Sequence, residues 1–390
     1  MAQSSGYKYP ILNSDGSSSS TVADFADTFV RKELFLNAGL WGAGENSGGA
    51  LGQGTAVLRS SPIQIGLLTN WKQISGSQNG WIATKTDGTL WACGYAANPA
   101  GNLGLGNLNN QSSPVQVGLL NNWKLVQCNQ TYVAAIKTNG SLWVWGGSGS
   151  SGQLGMSNTN SYSSPVQVGS LTDWKQAVIS AGASAAIKTD GTIWTWGPGN
   201  HGQGNANNYS SPVQLGLLTN WKYVAAGQGF AISLKTDGTL WGWGNNSDGQ
   251  LGQNNTAQYN SPVQVGSLST WKTVAAGLYN SAAIKTDGTL WTWGRNSDGQ
   301  LGDNTIVSKS SPVQIGALTN WKEVSCGYRH ISAIKTDGTL WTWGNGAYGA
   351  LGVGNLTNYS SPVQVGALTS WKQATCGEYN IFAIQSPDLP

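Results

Sequence analysis

Ala333-Ile334-Lys335-Thr336-Asp337-Gly338-Thr339-Leu340-Trp341-Thr342-Trp343-Gly344 decides the architecture of this chain. An Asp-Gly pair stands between two runs of alternating character, the strongest short-range signal for a β-hairpin. Gly338 takes positive φ without a Cβ clash, and Asp337 tolerates a left-handed backbone better than most residues. In the second strand a period of two places Trp341 and Trp343 on one face, with Leu340 and Thr342 on the other. Two indoles side by side form a wall to pack against.

Equivalent turns occur at Asp87-Gly88, Asn139-Gly140, Asp190-Gly191, Asp237-Gly238 and Asp287-Gly288. A second landmark, Trp-Lys, recurs at Trp71, Trp123, Trp174, Trp221, Trp271, Trp321 and Trp371. A repeat of about fifty residues at this chain length means a solenoid or a propeller. Each copy reads as four short strands, WKxVxxG, xxAIKT, LWxWG and SPVQVG, and none contains a convincing helix. Four-stranded blades arranged radially satisfy that pattern. The array begins in mid-repeat at Leu40-Trp41 and stops after Phe382-Ala383-Ile384-Gln385, where a seventh turn is due. Residues 371–385 and 40–66 are complementary halves, so both termini complete one blade and leave no open edge. The expectation is an all-β, seven-bladed β-propeller over residues 40–390, closed by N- and C-terminal half-repeats.

Residues 1–39 form a leader outside the repeat. The polar stretch 13–20 reads as linker. Thr21-Val22-Ala23-Asp24 fits a capping box, and Val22, Phe25, Phe29 and Leu36 share one helical stripe, with Gly39 as the stop. One helix is expected, plugging a face of the propeller or docking into a larger assembly. Tyr7, Tyr9, Phe25, Phe29 and Phe35 are the candidate anchor residues.

With 9% charged residues, 55 Gly and 20 Trp, the composition describes one large repetitive core. No apolar run approaches a membrane-spanning helix and the N-terminus lacks a signal-peptide core, so neither membrane insertion nor general secretory export is expected. The net charge of +3 is dispersed, because Lys follows each landmark Trp and precedes each hairpin turn. A nucleic-acid binder concentrates its cations in a stripe, so no nucleic-acid partner is expected.

Chemistry is thin. His201 and His330 fall in different blades. Asn246-Ser247-Asp248-Gly249 lacks the terminal acidic ligand of a calcium loop, and no Gly-rich stretch carries the Lys-Ser/Thr of a phosphate loop. Glu45, Glu323 and Glu378 are the only Glu in the array, which leaves no paired carboxylates for a glycan-cleaving enzyme. No catalytic residue, metal or cofactor is expected. Cys128, Cys326 and Cys376 share one position after a landmark Trp, and Cys93 takes the second Trp slot of its blade. All four read as core fillers rather than a disulfide framework.

Comparison of the copies separates scaffold from variable surface. Three residues before each Ser-Pro proline stand Arg59, Gln111, Tyr162, Tyr209, Tyr259, Lys309 and Tyr359. On a closed propeller they form a ring on one face, and tyrosines among amides and hydroxyls suit a glycan or protein contact surface. The bland alternative is that these tyrosines cover the outer strands.

The pattern AIKTDGTLWTWGxNxxGQLG, clearest from Asn280 to Gly302 and from Ser332 to Gly352, resembles the regulator of chromosome condensation repeat family over residues 40–385. That resemblance implies a seven-bladed propeller. The leader stretch DFADTFVRKELF is similar to short leaders on propellers of this family encoded by marine bacteriophages. In eukaryotic members, nucleotide exchange on a small GTPase resides in inserted loops and in residues outside the repeat motif. Here the loops are short, and the one after Gly204 is shorter still. The family's usual inner-strand His survives only as His330. The resemblance therefore implies a non-enzymatic virion protein of a bacteriophage, a display or host-attachment module. Its expected partners are other virion proteins through the leader and a host-surface glycan or receptor. A cytoplasmic propeller scaffolding a protein partner, as a GTPase regulator would, is the alternative.

Overall fold

The computed structural model describes residues 38–386 apart from 78–79, 97–100, 130, 148–150, 183 and 200. The expected leader helix and its five anchor residues lie outside the described residues. Seven four-stranded antiparallel sheets make the blades of a propeller. Six blades follow chain order, from the one starting at Trp71 (blade 1) to the one starting at Trp321 (blade 6). In the seventh the strands lie in the order Arg59–Gln64, Gly39–Gly44, Asn380–Gln385 and Trp371–Cys376. The two chain ends are joined there by a six-pair ladder from Gly39↔Gln385 to Gly44↔Asn380. Gly39, expected to stop a helix, instead opens this strand.

The hairpin is tighter in its chemistry than the sequence suggests. Gly338 N–H donates to Lys335 O and Lys335 N–H to Thr339 O, both at 3.0 Å, with Gly338 at φ 79°. This is a three-residue loop whose only left-handed residue is the glycine, as in a turn closed by a bulge. Asp337 keeps an ordinary backbone and acts through its carboxylate, which accepts from Thr339 N–H (2.9 Å) and Oγ1–H (2.7 Å). Thr339 Oγ1 in turn accepts from Trp341 Nε1 at 2.9 Å. Lys335, preceding the turn, is only 6% exposed and holds its ammonium 3.6 Å from the centroid of Trp341 and 4.9 Å from that of Trp321. Each such cation–π contact contributes roughly 0.5–2 kcal/mol. The whole motif KTDGTLW is thus one linked device, and it recurs in blade after blade.

The indole wall is real. Trp321 lies edge-on to both Trp341 and Trp343, with centroids 6.2 Å apart in each pair. This face of blade 6 packs on the opposite face of blade 5, where Ala282, Ile284, Leu290 and Ile315 form one cluster with Trp321, Ile331, Ala333 and Trp343. Trp343 is fully buried and its Nε1 donates to Gln300 O of blade 5 at 3.0 Å. Alternation along each strand therefore makes every blade two-faced, and the faces interdigitate around the ring.

Three blades depart from the repeat, and in the closing one Ala43 takes the second Trp slot opposite Ile381, with no indole there from either strand. In blade 1 the second indole is missing, and Trp81 supplies it from the neighbouring strand. Trp81 pairs with Cys93 across the ladder, stands 5.6 Å from Trp71 and donates to Ala50 O at 3.0 Å. In blade 3 the short connection loses its residues before Gly202 rather than after Gly204. Gly202 meets Trp243 as Gly252 meets Trp293, so His201 occupies the place of Leu251. All four cysteines are free, including Cys326 and Cys376 of adjacent blades. Burial pushes the thiols of Cys93, Cys128 and Cys376 up to about 12.

Candidate functional site

The innermost strands, each beginning Trp-Lys, surround a channel with a cavity of about 660 Å³. One mouth is bordered by the hairpin turns. The other is bordered by the loops after the innermost strands and by the connections from third to fourth strands.

The joints between innermost strands are clipped by side chains. Gln373 accepts from Ile74 N–H (3.0 Å) and donates to Ile74 O (3.1 Å) in the next blade. Gln73 grips Val126 and Gln176 grips Val224 in the same two-bond manner. Glu323 holds the corresponding place in blade 6, where its carboxylate accepts from Ala374 N–H at 3.3 Å. Burial pushes this carboxyl up to about 7, against the weaker opposing pull of the Ala374 hydrogen bond and of Lys322. Hydroxyls add a second tier: Thr375 accepts from Gly76 N–H, Ser75 from Cys128 N–H and Ser325 from Cys376 N–H.

The seven residues singled out from the repeat comparison each open an outermost strand. Tyr162, Tyr209, Tyr259 and Tyr359 pair with Gly146, Gly197, Gly244 and Gly344; Arg59, Gln111 and Lys309 pair with Gly44, Gly94 and Gly294. They stand one per blade around the circumference, and the structure brings no two of them into one site. The tyrosines are half-buried, with rings packed on the clusters between blades. Their hydroxyls accept from Asn158, Asn205, Asn255 and Asn355, four residues upstream, at 3.0–3.3 Å. Lys309 pairs with Asp303 at 3.6 Å. The hydroxyl is engaged by the blade's own loop and the ring by the packing between blades.

A different aromatic group gathers around the channel mouth away from the hairpins. Tyr279, Tyr328 and Tyr379 come from the loops after the innermost strands of blades 5, 6 and 7, with centroids 6.0 and 6.3 Å apart in sequence. Tyr348 joins them, 5.0 Å from Tyr379. It is 49% exposed and has φ 59°, a left-handed conformation costly for a bulky side chain. The guanidinium of Arg329 lies 5.1 Å from the Tyr328 ring and 3.8 Å from the Asp298 carboxylate, and Arg295 lies 5.4 Å from the Tyr279 ring. Burial and the neighbouring Glu378 hold the Tyr379 phenol up to about 12, so it remains a hydrogen-bond donor at neutral pH. Position-by-position comparison of the copies misses this cluster because Tyr328 sits one residue earlier in its loop than Tyr279 and Tyr379. Three consecutive blades with Tyr in the same short loop were the available signal.

His201 is buried in its connection, with Nε2 2.8 Å from Asn207 O. His330 opens the second strand of blade 6 rather than the innermost one, and its Nε2 lies 3.2 Å from Asn380 O of the next blade. Burial lowers its pKa to about 4. Among the described residues no group of three or more His, Cys, Asp or Glu is placed to hold a metal ion. No described helix is long and apolar enough to cross a membrane.

Comparison with known proteins places these features. Residues 163–388 match the RCC1-like domain, and residues 87–136 match the regulator of chromosome condensation (RCC1) repeat. The ultraviolet-B receptor UVR8 of Arabidopsis thaliana is 28% identical over 201 residues, 46% of this chain and 44% of that protein. The human E3 ubiquitin-protein ligase HERC2 is 28% identical over 170 residues, 42% of this chain but 4% of that protein. The chain thus spans less than half the length of these curated relatives. Human WBSCR16 superposes with a TM-score of 0.79 at 21% identity, over 90% of this chain and 99% of that one. Prp20p of Saccharomyces cerevisiae does so with 0.79 at 20% identity, over 92% and 94%. At those identities the likeness is one of fold.

Proposed function

The chain belongs to the RCC1-like domain family, and from that premise we propose that it is a non-enzymatic binding propeller of a bacteriophage particle, a rigid module for display or host attachment. The observation that carries the binding role is the cluster of Tyr279, Tyr328, Tyr348 and Tyr379 with Arg329 at one channel mouth. Tyr and Arg dominate the energetic centres of protein interfaces, and here they sit on a scaffold already ordered before any partner arrives. The partner is a protein surface with acidic groups to meet Arg295 and Arg329 and apolar groups to meet the rings. The virion setting rests on the likeness of the leader to those of phage-encoded propellers, with the leader joining the module to other virion proteins.

Two measurements test this. The native protein should co-sediment with intact phage particles, and its recovery only in the soluble fraction of infected cells would overturn the virion setting. Replacing Tyr328 and Arg329 together by Ala should abolish capture of the partner while leaving the melting curve within a few degrees. Prp20p is described by its binding to Gsp1p and histones. Capture of a GTPase by this face, with no particle association, would favour the cytoplasmic scaffold instead.

A further inference from the structure

The hairpin-side mouth is organised by a different residue. Every innermost strand starts Trp-Lys, with the indole buried under the blade and the ammonium turned outward. These lysines lie about fifty residues apart in the chain and read there as dispersed charge. Radial closure gathers them on one rim, because all the innermost strands begin at the same end of the channel. Lys175, Lys222, Lys272 and Lys322, from four consecutive blades, line the cavity itself. Among the described residues the ion pairs are Lys188–Asp173, Lys309–Asp303 and Arg329–Asp298, and none involves the four.

The acids of this face are committed elsewhere. Asp237 and Asp287 at the hairpin tips accept from Thr239 and Thr289, and Lys235 and Lys285 add a smaller electrostatic attraction. The cavity lining holds two carboxylates, Glu323 and Glu378. Glu378 belongs to the loop at the tyrosine end, and Glu323 is bonded to Ala374 N–H. Tyr223 and Thr273 line the same cavity.

We propose that this mouth binds a compact multivalent oxyanion, a small molecule bearing several phosphate or sulfate groups, with Lys175, Lys222, Lys272 and Lys322 as its cationic rim. Four like charges around one opening repel one another, and an anion that meets all four at once relieves that repulsion. A singly charged anion meets one lysine at a time and stays solvated. The channel behind the rim, which runs through to Tyr328 at the other mouth, has a total volume of about 660 Å³, within the roughly 300–1,000 Å³ typical of small-molecule sites. This site lies at the opposite end of the channel from the tyrosine cluster, so its fate is independent of the protein-binding reading above.

The test is calorimetric titration of the full chain with inorganic tripolyphosphate. Binding is expected at about 50 mM salt and at least tenfold weakening at about 500 mM, where screening shortens to a few ångströms. Orthophosphate should show no measurable heat. Lys222→Glu combined with Lys272→Glu should lose at least tenfold in affinity, whereas Arg59→Glu on the outer wall, the same two-unit charge change as Lys222→Gln with Lys272→Gln, should lose less than twofold. Glu323→Gln should bind several-fold more tightly, since it removes the carboxylate inside the mouth. If the double Glu variant does not fold, Lys222→Gln with Lys272→Gln reads the same loss. No binding of tripolyphosphate at low salt, equal binding by the double variant, an equal loss in Arg59→Glu, or tighter binding of a single-stranded oligonucleotide would each overturn the proposal.

Discussion

Glu323 shows how much one side chain can decide at this scale. Gln occupies the same position in blades 1, 3 and 7 and makes two bonds to the next blade, one as acceptor and one as donor. A carboxylate can make only the first, and a protonated carboxyl can make both. Burial disfavours the charged form, so the folded state holds this proton up to about pH 7, above the ordinary 4.5. A folded-state pKa raised in an acid means that stability falls as pH rises between those values and is flat beyond them. Discounted for the partial exposure of the side chain, the shift leaves on the order of 1–2 kcal/mol. Glu323→Gln should accordingly raise the melting temperature at pH 8 by one to a few °C and remove the decline between pH 5 and 7. Thermal melts across that range check it, and a Gln variant less stable than the parent at pH 8 would refute it. Tyr259→Ala should cost roughly 1–3 kcal/mol, because its ring and hydroxyl are both engaged in the blade. Tyr259→Phe should cost about 1 kcal/mol or less. A surface-only tyrosine would show no difference between the two.

At the scale of the blade, the second indole can be supplied by either of two strands. Trp81 and Cys93 face each other across a ladder on the same side of the sheet, so an indole on either strand reaches the same space between blades. Trp81→Ala should cost about 3–5 kcal/mol, the usual range for removing a buried Trp. Adding Cys93→Trp should restore a large part of it, because the pair then matches Ala231 and Trp243 of blade 4. Denaturant unfolding of the single and double variants measures the coupling, and simple additivity would sink the argument. The same logic explains the hairpins: Asp337 was legible as a turn residue, but its carboxylate bond to Thr339 emerges only when Gly338 alone takes the left-handed turn.

At the scale of the whole molecule, the closing blade is, among the described residues, the one not made of continuous chain, and both of its joints are clipped by side chains. Gln373 and Thr375 bind blade 1, while Glu323 and Ser325 reach from blade 6 to Ala374 and Cys376. A propeller without a complete last blade exposes strand edges that seek other partners. Ending the chain at Ser370 leaves Gly39–Gly44 without its neighbour and should convert a single cooperative melt into a broad transition with aggregation. A soluble product with an unchanged melt would show that closure is dispensable.

The strand order, the blade count and the complementary halves were fixed by the sequence, because period-two alternation and a fifty-residue repeat are local properties that no tertiary contact overrides. Arg59, Gln111, Lys309 and the four outer tyrosines were equally visible, since each occupies one position in its copy. What they do was not, because bonds such as that from Asn255 to Tyr259 and packing on the adjacent blade depend on how neighbouring loops fold back. The tyrosine cluster and the lysine rim were hidden for a related reason. Residues far apart in the chain become neighbours only when a linear repeat is bent into a ring, and it is ring closure that turns the recurring Lys of Trp-Lys into a common field at one mouth.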